Sequence, residues 1–308
     1  MTVIKSCLFS LSQSGNLNKL AKKLGPKLGI HSFIAGTNLV ELETNIYRLN
    51  HRGVAVTIDN LGEFVYYEKD ASEATSRILD VIDRIYLKEL NGHISIKLTQ
   101  IGLDIDDKIC LNNATKIIDY ADQKNIFVNI DMEDFNHIEA SWNIIHELTA
   151  KYSNIGTVIQ VALYRAEGDV KQNKNMKLRI VKGAYKESAN ISFQMKKEID
   201  NNFLKLTKMH LLDGAFTSIA THDHNIIREI IYFIEENDIS TSKFEFQMLY
   251  GFRANLQNAL VEKGYNVCVY MPFGKEWYGY FMRRIAERPQ NINLVLKQTF
   301  NKFFTKAY

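Results

Sequence analysis

The sequence predicts an α/β fold, a (β/α)8 barrel preceded by N-terminal helices. Three observations predict it: eight short apolar, β-branched runs, segments of helical spacing between them, and polar groups closing every run. The runs are 54–58 (VAVTI), 94–98 (ISIKL), 127–130 (FVNI), 158–163 (VIQVAL), 178–181 (LRIV), 217–220 (TSIA), 244–248 (FEFQM) and 267–271 (VCVYM). Strands alternating with helices imply a parallel sheet. Successive runs start about 20–40 residues apart, the scale of one βα unit. Eight units match a closed barrel at its usual size. An open, doubly wound sheet is the alternative. The polar run ends favour the barrel, because in a barrel all eight open onto one mouth.

The first 50 residues read as helices packed on the barrel. LNKLAKKLG has helical spacing and stops at Gly25-Pro26, and 37–49 is a second helix. Residues 1–50 are thus expected as an N-terminal helical segment and 51–308 as the barrel. Further helices are expected at 71–90, 106–124 and 225–236, where apolar residues recur every three or four positions. The stretch 280–288 is a helix candidate just after the last strand. Residues 293–308, rich in Phe and Lys, are expected to form a terminal helix with an apolar face.

Composition excludes several classes. The chain has 308 residues and 38 basic against 35 acidic groups, a net charge of +3. No basic stripe for nucleic acid and no polybasic membrane anchor is expected from that balance. Three widely spaced cysteines, Cys7, Cys110 and Cys268, suit reduced thiols in the cytoplasm. No stretch has the 18 or more apolar residues of a spanning helix, and the start lacks the pattern of a cleaved leader.

The strand ends carry the chemistry: TIDNLGE, KLTQIG, IDMED, QVALYR, VKGAYKE, ATHDH, FQMLYGFR and YMPFGKEW. Lys97, Asp131, Arg179 and Glu245 are charges inside or at the end of apolar runs, costly unless they face a polar mouth. Lys97 has three readings: neutralising an anionic substrate, pairing with Asp131, or forming a Schiff base. Arg179 and Lys182 add positive charge, and Gly183 allows close backbone approach to a ligand. On 280–288, Tyr280, Arg283, Arg284 and Glu287 share one broad helix face. Two guanidinia there would grip a carboxylate with bidentate hydrogen bonds; a solvated face with an Arg283–Glu287 pair is the alternative. Together these groups point to an anionic substrate, an anionic cofactor, or both. Metal pairs exist on paper, His222 with His224 and Asp131 with Glu133, each two apart on one strand face. The surrounding cations oppose a metal, and none is expected. His146-Glu147 is not completed to H-E-x-x-H, because Ala150 takes the last position. No G-x-G-x-x-G and no Walker A sequence occurs.

The strand-end motifs, in order AVTIDNLGE, SIKLTQIGLD, NIDMED, LRIVKGAYKE, IATHD, FEFQMLYGFR and YMPFGKEWYGYFMRRIAERPQN, closely resemble the flavin-dependent proline dehydrogenases, most closely the monofunctional bacterial type. The resemblance is collinear from about residue 33 to residue 291. It implies a distorted (β/α)8 barrel that binds FAD without a Rossmann motif. It also implies oxidation of L-proline to 1-pyrroline-5-carboxylate by hydride transfer to flavin N5, with electrons passed to a membrane quinone. By resemblance, Arg283, Arg284 and Lys97 hold the proline carboxylate, while Tyr270, Tyr280, Leu249 and Tyr185 surround the ring. Asp131 orients Lys97 or an arginine, and Glu287 holds the arginine pair. Arg179 lies near the flavin N5, where a cation stabilises the anionic reduced flavin. Gln160, Lys182, Gly183, Thr221, His222 and Gln247 match FAD-contacting positions. The chain departs from the pattern at Ala162, where relatives commonly carry an aromatic residue. Its length leaves no room for a second, aldehyde-dehydrogenase domain, so a separate 1-pyrroline-5-carboxylate dehydrogenase is expected downstream. No nucleic acid partner is implied. The expected location is cytoplasmic, with transient contact at the inner face of the cell membrane.

Overall fold

The computed structural model describes residues 32–62 and 65–281. Eight parallel strands close into a barrel in sequence order: β1 Ala55–Asn60, β2 Gly92–Lys97, β3 Val128–Asp131, β4 Ile155–Gln160, β5 Lys177–Val181, β6 Phe216–Ala220, β7 Phe244–Leu249 and β8 Val267–Phe273. Closure is made by β8 against β1, from Ala55 opposite Cys268 to Asn60 opposite Phe273. A closed barrel leaves no unpaired strand edge. The eight expected strands are therefore all present. β4 lies three residues earlier than the run 158–163, because after Gln160 the chain turns: Leu163 N–H donates to the Gln160 carbonyl (3.1 Å). Val161 and Leu163 are buried in that turn, so their apolarity reports burial and not strand.

The helices are α1 Leu39–Asn50, α2 Glu68–Leu87, α3 Asp107–Asp122, α4 Ile138–Thr149, α5 Ala166–Gln172, α6 Lys196–Asp213, α7 His224–Glu236 and α8 Ala254–Glu262. Several starts are fixed by Asn or Asp caps. Asn38 Oδ1 accepts the backbone N–H groups of Val40 and Glu41, and Asp106 does the same for Lys108 and Ile109. α2 ends before the expected residue 90, since Glu89 turns into positive φ (48°) and lets Leu90 N–H reach back to the Ile85 carbonyl. α1 buries Leu42, Ile46 and Leu49. The helix candidates within 1–31 and 293–308, and all but the first two residues of 280–288, lie outside the described residues.

Alternation along the strands separates two interiors. Val56, Ile58, Ile94, Ile96, Val128, Ile130, Leu178, Ile180, Phe246, Val269 and Met271 are buried in the main apolar core. The residues between them, Thr57, Asp59, Ser95, Lys97, Asn129, Asp131, Arg179, Ser218, Glu245, Gln247 and Tyr270, hydrogen-bond to one another across and along the strands and so fill the lumen. A polar lumen is tolerable because nearly every group there finds a partner.

Candidate active site

At the C-terminal ends of the strands one cluster joins five of them. Lys97 closes β2, Asp131 closes β3, Asp59 is the penultimate residue of β1, Arg179 comes from β5 and Tyr270 from β8. Lys97 Nζ donates to Asp59 Oδ2 (2.7 Å), more distantly to Asp131 Oδ2 (3.4 Å), and to the Tyr270 hydroxyl (3.2 Å). Arg179 Nη1 donates to Asp131 Oδ1 (2.6 Å) and Ser95 Oγ (3.1 Å), and its Nη2 to Thr57 Oγ1 (3.4 Å). Asp131 Oδ1 also accepts from Ser95 Oγ (2.7 Å) and Asn129 Nδ2 (3.2 Å). The Tyr270 oxygen lies 2.8 Å from Asp59 Oδ2 and 2.7 Å from Asp131 Oδ2. Its single proton serves one carboxylate at a time. The Arg179 guanidinium lies 5.3 Å from the centre of the Tyr270 ring.

These contacts fix the protonation states. Burial alone would lower the Lys97 ammonium, yet Asp59, Tyr270 and Asp131 hold it well above its usual value. Burial alone would raise the Asp131 carboxyl, and Arg179 and Lys97 outweigh it, holding it low. Burial, with Asp131 and Asp59 beside it, pushes the Tyr270 phenol well up. An ammonium held between Asp59 and Asp131 is an anion anchor and a poor Schiff-base nucleophile, which argues against the Schiff-base reading of Lys97.

The excess of positive charge expected at the mouth is absent among the described residues. Lys97 and Arg179 face Asp59 and Asp131, two cations to two carboxylates. Lys182 sits in a different group with Asp200, Asp223 and Lys196. Arg283, Arg284 and Glu287 lie outside the described residues.

The other expected positions distribute along the β4–β7 side. Gln160 Nε2 donates to the Glu133 carbonyl (2.6 Å). Gly183 has φ +111°, and a Cβ there would sit 3.5 Å from Gln160 Oε1. His222 Nε2 accepts the backbone N–H of Leu249 (2.9 Å), so strand ends β6 and β7 are tied together. Thr221 is buried and accepts from Asp223 N–H (3.2 Å). Gln247 Nε2 donates to Glu245 Oε1 (2.6 Å). Tyr280 is buried and Tyr185 is 40 % exposed on the loop after β5. Neither suggested metal pair is free: the two oxygens of Glu133 accept from Thr99 and His222 is held by Leu249. A third group, His93, Glu245 and Cys268, has ligand atoms within 4.8 Å of one another. Burial, together with Arg179 and Lys177, pushes His93 down to about 3, and the same cations oppose a dication there. Asp59, Ser95, Asn129 and Thr57 were not singled out in sequence. Their signal is a polar residue at every second position of an apolar strand.

Four buried polar atoms in and around this lumen lack a partner, Arg179 Nε, Gln247 Oε1, Asp59 Oδ1 and Asn60 Nδ2. Unpaired buried polar groups are costly, and a flavin's ring carbonyls and nitrogens are of the right chemistry to satisfy them. Gly183 offers bare backbone on the same side. The residues present fit a flavin.

A closed βα-barrel with a compensated cluster of charges at the C-terminal mouth defines a barrel enzyme for a small, charged molecule. The family model described as proline dehydrogenase matches residues 42–295. Proline dehydrogenase 2 of Bacillus subtilis subsp. natto is 42% identical over 299 residues, 96% of this chain and 98% of the relative. The proline dehydrogenase of Deinococcus radiodurans is 35% identical over 272 residues, 86% of this chain and 88% of the relative. Among solved structures, proline utilization A from Bdellovibrio bacteriovorus, inactivated by N-propargylglycine, superposes with a TM-score of 0.79 at 22% identity, covering 87% of this chain and 33% of that one. At that identity the likeness is one of fold. The chain belongs to the proline dehydrogenase family, oxidoreductases acting on a CH–NH donor.

Proposed function

We propose that the protein oxidises L-proline to 1-pyrroline-5-carboxylate with FAD, the first step of proline breakdown. The observation that carries this reading is the Asp59–Lys97–Tyr270–Asp131–Arg179 cluster at the barrel mouth of a chain of this family. When bound, FAD supplies the acceptor for the two electrons and the proton that leave proline C5. With the proline amine neutral, its nitrogen lone pair forms the C=N bond as C5 gives up its hydrogen and two electrons, and the N–H proton is then released to solvent, so no side chain need act as an obligate base.

The chain's own groups do the positioning. Lys97, kept charged by its carboxylate partners, holds the proline carboxylate together with Arg283 and Arg284, and Glu287 holds that arginine pair. A carboxylate fixed by three cations orients the ring, the main requirement for transfer from a chosen carbon. Tyr270, Tyr280, Leu249 and Tyr185 wall the ring. Gln160, Lys182, Gly183, Thr221, His222 and Gln247 would hold the cofactor. Arg179, locked by Asp131, Ser95 and Thr57, would offer a bound flavin a fixed positive charge, of the sign that favours its reduction. Electrons then pass to a membrane quinone during transient contact with the inner face of the cell membrane; among the described residues no helix is long and apolar enough to cross one. The product's onward oxidation falls to a separate 1-pyrroline-5-carboxylate dehydrogenase.

The test is spectroscopic. The purified protein is expected to show a flavin absorption band that bleaches when L-proline is added without oxygen. A colourless protein, or a band indifferent to L-proline, overturns the reading.

A further inference from the structure

We propose that Asp59 is the positioning residue of the substrate-carboxylate anchor, dedicated to Lys97; this rests on the reading of Lys97 as a proline-binding group. The two carboxylates around Lys97 are not equivalent. Asp131 has its own cation, Arg179, and two neutral donors, Ser95 and Asn129, all on Oδ1. Asp59 has none of these. Its Oδ2 takes Lys97 Nζ at 2.7 Å and Tyr270 at 2.8 Å, its Oδ1 is buried without a partner, and the residue is 2 % exposed. Lys97 is the cation that compensates Asp59.

Donor counting shows why this matters. An ammonium has three N–H donors, and those of Lys97 face Asp59, Asp131 and Tyr270. A substrate carboxylate gains a donor only if one contact is released. The Asp131 contact is the longest, 3.4 Å, and Asp131 keeps its other partners when it goes. Releasing Asp59 instead would strand a buried carboxylate without a cation, which is strongly unfavourable. Lys97 therefore turns from Asp131 to the substrate while staying on Asp59. Asp59 sets both the charge and the aim of the ammonium without touching the substrate itself.

The experiment compares holoenzymes of wild type, Asp59→Asn, Asp59→Glu, Lys97→Met and the Asp59→Asn/Lys97→Met double variant. Two readouts are taken: proline KM and kcat, and calorimetric affinity for cyclopentanecarboxylate, a ring carboxylate without the reacting amine. Asp59→Asn is expected to raise the proline KM and the cyclopentanecarboxylate Kd about tenfold, about 1.4 kcal/mol. Its kcat should change less than threefold and its bound flavin not at all. Asp59→Glu, which keeps the charge, should fall between. In the Lys97→Met background the Asn substitution should add less than twofold. Wild-type KM and Kd in Asp59→Asn, or full additivity with Lys97→Met, overturns the proposal. If Asp59→Asn does not fold, the Asp59→Glu and Lys97→Met proteins decide it: a wild-type Kd in Asp59→Glu together with a weakened Kd in Lys97→Met counts against Asp59, and a Kd raised in both supports it. Should the wild type fail to bleach with proline, the functional reading fails first and separately.

Discussion

Asp131→Asn removes one charge from the middle of the lumen and nothing else of comparable size. The carboxylate accepts from Arg179, Ser95 and Asn129 on one oxygen and meets Tyr270 and Lys97 on the other. An amide can keep the first set, since its carbonyl still accepts. Its NH2 group, however, faces Lys97 and Tyr270 in place of an acceptor, and Arg179, with a side chain only 5 % exposed, loses its counter-charge. Breaking a buried pair from one side costs about 3–5 kcal/mol. With the hydrogen bonds to one oxygen retained, the low end applies, about 3 kcal/mol. At about 2 °C per kcal/mol for a large domain, that is a fall of about 6 °C in Tm. The assay is thermal unfolding at pH 7, with Glu147→Gln as a control. That residue belongs to an exposed pair, Glu147–Lys151 at 3.7 Å, and its loss should cost well under 1 kcal/mol. The pH dependence is a second check. Because the folded Asp131 carboxyl lies below its unfolded value, near 3.9, its stabilisation is fully present above that value. It is lost as pH falls through the lower folded one. The gap between wild type and variant should be flat from about pH 5 to 8 and narrow below about pH 4. A loss under about 1 kcal/mol at pH 7, or a gap that widens in acid, refutes the account of the lumen as a charge-locked cluster.

Three further outcomes are expected. His137 bridges Asp134 (2.7 Å) and Asp104 (2.7 Å) through its two ring nitrogens; burial works against the charged ring, but the two carboxylates raise it. Its stabilisation is present below the unfolded histidine value and lost as pH rises through the folded one, so His137→Gln should lower Tm more at pH 6 than at pH 9. Gly183→Ala places an L-residue at φ +111°, with ordinary contact only to Ala162 and Gln160; the backbone cost of about 1–3 kcal/mol should appear in Tm, with a lower flavin-to-protein ratio. Arg284→Met should raise the proline KM at least tenfold, about 1.4 kcal/mol of lost binding, with flavin content unchanged; a wild-type KM removes Arg284 from the carboxylate clamp.

Much of the fold was legible because it is written in period-two alternation. In β1, Val56 and Ile58 face the helices while Thr57 and Asp59 face the lumen, and the same register repeats in β2 with Ile94 and Ile96 against Ser95 and Lys97. The run 158–163 misled because a buried turn and a buried strand have the same apolar composition. Lys97, Asp131 and Arg179 stood out as charges in apolar surroundings. Asp59 did not, since TIDNLGE reads as an ordinary polar strand end.

Sequence alone determined the class of architecture, the polar mouth and the residue types available to it, because those depend on local periodicity and on the cost of burying charge. Only the tertiary structure decided the partners. Asp59 and Tyr270 are 211 residues apart, and Lys97 and Tyr270 are 173 apart. They meet because β8 closes against β1. Across the lumen, Asp59 and Asp131 balance the charges of Lys97 and Arg179. Pairing across strands depends on register and barrel closure, which no local stretch of chain encodes.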